Sequence, residues 1–429
     1  MNRNSGAAVT IAALLLLVSE SAARAQVGGA APPPGTFRSS TSLVEVDVIV
    51  KDKDGRFVSG LTADDFEVFE EGAPQPIQHF YLVTEAPMGA GEVSPTVVLP
   101  RSPDQTGRRT FLIIFDHEHL SAPLVSRLKH EVMQFVNEQL RPTDLAGVYV
   151  TGGLWRNRLT SDRQEILDGI RALSPSLETP AKRLSTLVAY PRIPSEYDAV
   201  RIERGDTRRV EEIAQQNCAA EPVSCAQEGG REYVEERLET KAKAHVEEAR
   251  RAAASTVDVL RHASRNLARL DGRKTILLVS EGFFAEDLRG ELPQIAGEAA
   301  RAGIAIYTVN ARGTSGVGGR ILPDASVDRG ALSTFGETGQ EGLDVLAAET
   351  GGIAFRNTDN YRSLLASIAS DTSTYYVLAY APVNSVLDGK FRRIELKTKW
   401  AGVDVRARRG YVASPLPPRR TIRTGGQRP

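Results

Sequence analysis

The sequence has few cysteines, few aromatic residues and almost no net charge. Two of its 429 residues are cysteine, too few for a disulfide-stapled scaffold or a four-cysteine zinc site. Aromatic side chains make up 6% of the chain, which argues against a base-stacking surface for single-stranded nucleic acid. The formal net charge of −1 argues against nucleic-acid binding through bulk positive charge. We therefore expect no nucleic-acid partner.

Long hydrophobic runs are also scarce. The strongest run, from Ala7 to Val18, is about a dozen residues, whereas a bilayer-spanning helix needs about 20. Arg3 precedes the run, and Ala23-Arg24-Ala25 fits the small-x-small rule for signal cleavage. These features predict a signal peptide over residues 1–25, with an uncleaved membrane anchor as the alternative. We expect an exported protein, periplasmic or secreted, with no transmembrane span in the mature chain.

Export would place Cys218 and Cys225 in an oxidising compartment, where disulfides form. Two cysteines separated by six residues in an oxidising compartment most simply form a local disulfide. The pair would then staple the loop 219–224. A redox or metal pair is the alternative, but the C-x-x-C spacing and an adjacent histidine are missing.

The remaining composition is typical of a folded globular protein. It is 41% hydrophobic and 25% charged, and its length exceeds that of one typical domain. Alternating apolar and polar residues predict strands near both chain ends. We expect a small β module that both ends form together. The predicted boundaries are a linker over 26–36, β module strands over 37–84, a second linker over 85–108, C-terminal strands over 373–413 and a disordered tail over 414–429.

The middle of the chain alternates between strands and helices. Thr110–Asp116, Thr275–Val279 and Ile304–Val309 are continuous apolar runs of the kind found in buried parallel strands. Segments with helical periodicity lie between these runs. The pattern predicts an α/β domain over 109–372, with a parallel sheet covered by helices on both faces.

An insertion over 174–272 interrupts this alternation. Its first half, to about Gly230, contains proline and glycine at intervals and predicts a loop. The second half, Arg231 to Leu270, lacks both residues and predicts one long helix. Its charged beginning, up to about Ala244, is expected to project from the domain. That projection is either a solvated helix face or a partner-binding arm.

Four polar residues follow the first buried strand. Asp116, His117, Glu118 and His119 are types that bind metal ions, and ligands of open α/β sheets bind at the carboxyl ends of strands. Consecutive residues cannot all face one ion. We expect Asp116 and Glu118 to share one side, with both histidines turned away. An ordinary polar loop is the alternative.

Three segments resemble the core strands of a von Willebrand factor type A domain. They are FLIIFD ending at Asp116, RKTILLVSEGF over Arg273–Phe283 and IAIYTVN over Ile304–Asn310. The flanking sequences VEVDVIVKDKDGRFVSGLTADDFEVFEEG and GKFRRIELKTKWAGVDVRARRGYVA more specifically resemble the VWFA-related domain proteins common in Acidobacteria. The resemblance covers most of the chain after the signal peptide, and it implies a Rossmann-like parallel sheet.

The family resemblance also implies a divalent cation. Type A domains usually hold one in a metal-ion-dependent adhesion site whose motif is Asp-x-Ser-x-Ser. Here Asp116 matches the aspartate, but Glu118 and Leu120 stand at the serine positions, and Glu281 matches a second acid. The resemblance thus implies a degenerate site in which Asp116, Glu118 and Glu281 are the candidate ligands for Mg²⁺ or Mn²⁺.

Two functions follow as expectations. The resemblance implies a protein–protein interaction or adhesion module that binds an unidentified protein or cell-surface ligand, with no catalytic residue assigned. The alternative is a metal-dependent hydrolase that uses Asp116, His117, Glu118 and His119. The other histidines have no evident nucleophile partner in the sequence, so we expect them to be structural.

Overall fold

The computed structural model describes residues 43–84, 108–150, 153–174, 185–283, 288, 290–312, 329–356 and 358–418, without the side chains of 329–338. The expected signal peptide and first linker lie outside these residues, as do most of the second linker and most of the C-terminal tail. Among the described residues, no helix combines the length and the apolar character that crossing a membrane requires.

The strands form three sheets. One contains β13, β1, β11 and β4 in that order, a second β14, β12, β2 and β3, and the central sheet β10, β9, β8, β5, β6 and β7. The strands are β1 (Val44–Lys51), β2 (Phe66–Glu70), β3 (Ala73–Gln75), β4 (His79–Val83), β5 (Thr110–Phe115), β6 (Leu145–Val150), β7 (Gly153–Leu154), β8 (Lys274–Ser280), β9 (Ile304–Asn310), β10 (Ala354–Phe355), β11 (Tyr375–Tyr380), β12 (Phe391–Thr398), β13 (Asp404–Ala407) and β14 (Gly410–Val412).

Helices cover both faces of the central sheet and build the insertion. They are α1 (Ala122–Gln139), α2 (Arg163–Ala172), α3 (Glu196–Glu203), α4 (Thr207–Ala220), α5 (Pro222–Gln227), α6 (Arg231–Leu267), α7 (Glu291–Arg301), α8 (Arg329–Thr350) and α9 (Tyr361–Ser373).

The central sheet is parallel except for its short edge strand β7. Every residue of β5, β8 and β9 is buried, which explains why these segments are continuous apolar runs. Residues of α1, α2 and α9 pack on one face of the sheet, and residues of α6, α7 and α8 pack on the other. The α/β class predicted from the sequence is therefore confirmed.

Strands from the two ends of the chain pair with each other in both outer sheets. Val46 lies opposite Leu378 where β1 pairs with β11, and Val68 lies opposite Leu396 where β2 pairs with β12. The two sheets share one apolar core, which includes Val46, Val68, Tyr376, Ile394 and Tyr411. They form a β-sandwich, a solution that gives each four-stranded sheet a surface against which to bury its apolar face.

Most of the described residues in the first half of the insertion, 185–230, are helical, so the loop predicted there is wrong. Ser195 caps helix α3, because its hydroxyl accepts a hydrogen bond from Asp198 N, and Asp206 caps α4 through Arg209 N. Gly205 makes the turn between them with a φ of +85°. Helix α3 has only eight residues, so its periodicity is weak in the sequence.

Helix α6 does not project from the domain as expected. Val234, Leu238 and Ala242 in its charged first half have no exposed surface, because they pack on α3 and α4 in a separate apolar core. The second half, including Val257 and Leu260, packs on the central sheet. One helix thus contributes to two cores.

The predicted disulfide between Cys218 and Cys225 is present in the insertion. Its position differs from the expectation in one respect. Helix α4 runs to Ala220 and α5 starts at Pro222, so the bond joins two helices across a one-residue connection rather than a loop. Both cysteines pack against the apolar core of the insertion. The bond therefore fixes the α4–α5 corner on that core.

Candidate functional site

The site is built at the carboxyl end of the central sheet. Asp116 follows β5 directly, and its backbone N–H donates to the carbonyl of Val279 at 2.9 Å, which continues the pairing with β8. The Asp116 residue is 4% exposed. Ser280 ends the neighbouring strand β8 and is completely buried. The ends of two adjacent parallel strands therefore bring a carboxylate and a hydroxyl together.

Protein donors engage both oxygens of the Asp116 carboxylate. Thr256 Oγ1 of α6 donates to Oδ1 at 2.8 Å, and Ser280 Oγ donates to Oδ2 at 2.7 Å. His119 Nδ1 lies 3.0 Å from the same Oδ2, so this ring nitrogen carries the proton. Hydrogen bonds to an ionised group are stronger than those between neutral groups, and this carboxylate has three.

The network keeps Asp116 ionised although it is buried. Burial alone raises the pKa of a carboxyl group, because it disfavours the charged form. The charge and hydrogen bond of His119, with the hydrogen bonds from Ser280 and Thr256, outweigh burial and lower the pKa of Asp116 below its usual value. The site is thus a buried anion that the surrounding protein stabilises.

His119 is not turned away from Asp116, which corrects the expected arrangement of the loop. A backbone hydrogen bond from His119 N to the Asp116 carbonyl, at 3.0 Å, closes a turn that returns the ring to the carboxylate. The ring centroid of Phe283 lies 5.6 Å from that of His119. Leu120, which the sequence resemblance matches to a serine of the adhesion motif, is completely buried and packs in the core with residues of α1.

His117 and Glu118 form a second, more exposed pair. His117 Nε2 lies 3.4 Å from Glu118 Oε1, and Ser255 Oγ donates to the same oxygen at 3.4 Å. These residues line a small pocket together with Asp116, Tyr149 and Val259. The four residues of the hydrolase hypothesis therefore separate into two pairs, Asp116 with His119 and His117 with Glu118.

The Glu281 carboxylate accepts a hydrogen bond at the start of helix α1. Its Oε1 accepts a hydrogen bond of 2.6 Å from Ser121 N, at the N-terminus of α1, and its Oε2 lies 3.9 Å from Arg312 Nε. A carboxylate at this position satisfies a donor that the helix itself leaves unpaired. Gly282 follows with a φ of +89°, and a Cβ there would lie 2.3 Å from the Gly339 carbonyl oxygen. The backbone thus approaches α8 closely beside the site.

The residues as arranged do not fit a divalent cation. The oxygens of Asp116 already accept three hydrogen bonds, Leu120 offers no ligand atom, and Glu281 Oε1 is committed to α1. Within the ranges that the structure describes, no three or more histidine, cysteine, aspartate or glutamate side chains are placed to hold a metal ion. The metal set of Asp116, Glu118 and Glu281 stays an untested prediction.

Sequence reasoning missed Thr256 and Ser280. Ser280 directly precedes the candidate Glu281, whereas Thr256 is 140 residues from Asp116 in the chain. One sequence signal could have identified Thr256. It lies on the buried stripe of α6 with Ala249, Ala252, Ala253, Leu260 and Ala263, and a polar residue on such a stripe needs a buried partner.

Comparisons with known proteins give little support for an assignment. No protein-family model matches the chain, and no curated protein matches it. Among solved structures, it is similar to an aerotolerance-related membrane protein from Bacteroides fragilis with multiple mutations to serine, at 14% identity and a TM-score of 0.30, covering 62% of this chain and 98% of that one. It is also similar to the conserved hypothetical protein BatB from Bacteroides thetaiotaomicron, at 14% identity and a TM-score of 0.27, covering 62% and 97%. At these values the similarity assigns no function.

Proposed function

We propose that this chain is an exported interaction module of the von Willebrand factor type A kind, which binds a protein or cell-surface ligand. Two sequence features support the proposal: the strand segments that resemble that family, and the signal-peptide pattern of residues 1–25. The parallel sheet with helices on both faces is compatible with it. The contact surface would be the carboxyl end of this sheet together with the insertion.

The hydrogen bond between Thr256 and Asp116 carries this proposal. Thr256 lies near the start of the half of α6 that packs on the sheet, whereas Val246 of the same helix belongs to the insertion core. A charge-assisted bond at that point fixes the insertion relative to the strand ends. A surface that is rigid before binding loses less conformational entropy when a partner docks.

The insertion exposes large apolar side chains on three of its helices. Tyr197 of α3 is 42% exposed, Val223 of α5 is 70% exposed and Tyr233 of α6 is 57% exposed. Tyrosine is enriched at protein interfaces, since it offers a large contact area at a small entropy cost. These residues are the contacts that we propose for the partner.

Cross-linking of the mature protein in envelope and medium fractions would test the proposal. The Tyr197→Ala, Tyr233→Ala double variant should lose the cross-linked partner, with at least about a tenfold drop in affinity for the purified pair. The matched control is Trp400→Ala with Val386→Ala, which removes side chains of comparable exposure from the β-sandwich.

Two results would contradict the proposal. Equal partner loss in both double variants would show that the insertion is not the contact surface. Export has its own readout, because the exported protein should begin at Gln26, and an intact Met1 on that protein would overturn the assignment to the exported class.

A further inference from the structure

Charged side chains are concentrated where the β-sandwich meets the central sheet. Asp371, near the end of α9, has a completely buried side chain that forms ion pairs with Lys51 of β1 and Arg406 of β13. The Lys51 Nζ atom lies 2.7 Å from Asp371 Oδ1. Ion pairs therefore join the last helix of the α/β part to two strands of the sandwich.

Arg273 lies at the same junction with unused hydrogen-bond donors. Its side chain is 5% exposed, and its guanidinium carbon lies 4.1 Å from the ring centre of Tyr375. Its Nη1 is 3.4 Å from Asp47 Oδ2, which is an ion pair rather than a well-formed hydrogen bond. Both Nε and Nη1 are buried without a hydrogen-bond partner.

Two further donors at the junction are buried and unpaired. The hydroxyl of Tyr307 in β9 has no partner, and the whole residue is completely buried. Arg406 Nε has none either, and the Arg406 guanidinium carbon lies 5.8 Å from the ring centre of Tyr307. Burial raises the pKa of Tyr307, the charges of Arg273 and Arg406 lower it, and the charges of Asp371 and Asp47 raise it by less, so charges of both signs act on this side chain.

The donor type and the charge of these groups indicate which kind of ligand would pair with them. The unpaired groups of Arg273, Tyr307 and Arg406 are donors, whereas the buried Asp371 carboxylate is held in ion pairs with Lys51 and Arg406. A buried donor without an acceptor is costly enough that native proteins rarely retain one. The formal charges of Lys51, Arg273 and Arg406 exceed those of Asp47 and Asp371 by one positive unit. A water molecule would supply an acceptor but leave that excess charge uncompensated.

We infer that the junction between the β-sandwich and the central sheet binds a small monovalent anion of the size of chloride, held by Arg273, Arg406 and the Tyr307 hydroxyl. The inference is independent of the proposed interaction function, because Arg273 lies at the amino end of β8, whereas Asp116 follows the carboxyl end of the neighbouring parallel strand β5. A bound anion would link Arg273, directly before β8, to β9 and β13. It would therefore stabilise the association of the two parts of the fold.

Thermal unfolding of the full mature chain in two salts tests the site. Sodium chloride and sodium gluconate are compared at equal ionic strength, and the difference in Tm is measured for each variant. Tyr307→Phe keeps the ring and removes one donor, and Tyr233→Phe makes the same change at an exposed position. Replacing gluconate with chloride should raise the Tm of wild type and of Tyr233→Phe. The increase should exceed that of Tyr307→Phe by about 2 °C or more.

The comparison between variants removes general salt effects, which act on all three proteins alike. Equal chloride responses in wild type and Tyr307→Phe would overturn the proposal. A direct measurement covers the case in which Tyr307→Phe fails to fold. Crystals of the wild-type protein grown in bromide should show an anomalous peak beside Tyr307 Oη and Arg273 Nε, and ordered water alone at that position would overturn the inference.

Discussion

Replacing Thr256 with valine tests the structure of the strand-end site most directly. The hydroxyl donates to Asp116 Oδ1 at 2.8 Å, and both residues are 4% exposed. Valine preserves the branched shape and replaces the donor with a methyl group. Asp116 would keep Ser280 and His119 as partners, but one oxygen of a buried, ionised carboxylate would lose its donor from α6.

The expected loss of stability follows from the charge on the acceptor. A hydrogen bond to a charged group contributes about 1.5–3 kcal/mol, and an unsatisfied buried acceptor costs a similar amount. We therefore expect Thr256→Val to lower the free energy of unfolding by about 2 kcal/mol. The pKa of Asp116 should rise, because a hydrogen bond that favours its ionised form is gone.

Urea unfolding at pH 7, followed by circular dichroism, measures this loss. Thr240→Val is the matched control, because Thr240 is an exposed residue of the same helix. Thr256→Ser keeps the hydroxyl and should retain most of the stability that Thr256→Val loses. If Thr256→Val lies within about 0.5 kcal/mol of Thr240→Val, the hydrogen bond does not stabilise the folded chain and the reasoning is refuted.

Three further predictions concern the insertion and the cation. Burial lowers the pKa of Lys241 to about 8, so the folded chain binds fewer protons than the unfolded chain from about pH 8 up to the ordinary lysine pKa. The free energy of unfolding should rise with pH over that interval, and the slope should shrink in Lys241→Met; equal slopes would contradict this. Leu238→Ala should destabilise the insertion by about 2–5 kcal/mol in urea unfolding, because Leu238 is completely buried, whereas the exposed neighbour Glu239→Ala should not. Calorimetric titration with Mn²⁺ should give the same trace for wild type and Asp116→Ala, and a wild-type signal that the variant lacks would refute the argument against a cation.

The central sheet could be predicted because its strands are buried on both faces. Continuous apolar runs such as Thr110–Phe115 differ from their surroundings in composition alone, without help from distant contacts. Alternation likewise identified β1, since one of its faces lies in the sandwich core. A strand that is buried on both faces is therefore recognisable as a continuous apolar run, and a strand that is buried on one face as an alternation of apolar and polar residues.

The helices in the first half of the insertion could not be predicted, because their stability is mainly tertiary. Helix α3 has eight residues and α5 has six, which is too short for either to be stable alone. Their apolar residues, among them Val200 and Ile202 of α3, acquire a buried environment only when α6 packs against them. Local periodicity in so short a window cannot distinguish such helices from a loop.

The site was predictable in position but not in chemistry. A strand that ends in an acid at the carboxyl edge of a sheet identified Asp116. Which groups surround it depends on other demands of the fold. Glu281 satisfies a donor at the start of α1, and Leu120 fills the core, so neither is available to a cation. Thr256 reaches Asp116 because of the packing of α6, which no local pattern specifies.

The hydrogen bond from Thr256 both occupies the Asp116 carboxylate and fixes α6. It therefore couples two properties of the chain, its capacity to bind a cation and the rigidity of its insertion. Serine in place of Glu118 and Leu120 would not by itself create a cation site, because Thr256 and Ser280 would still donate to the carboxylate. Serine in place of the buried Leu120 would also leave a cavity and an unpaired hydroxyl in the core. A cation that displaced Thr256 from Asp116 would loosen the insertion from the strand ends. In this chain, cation binding and a rigid insertion therefore oppose each other.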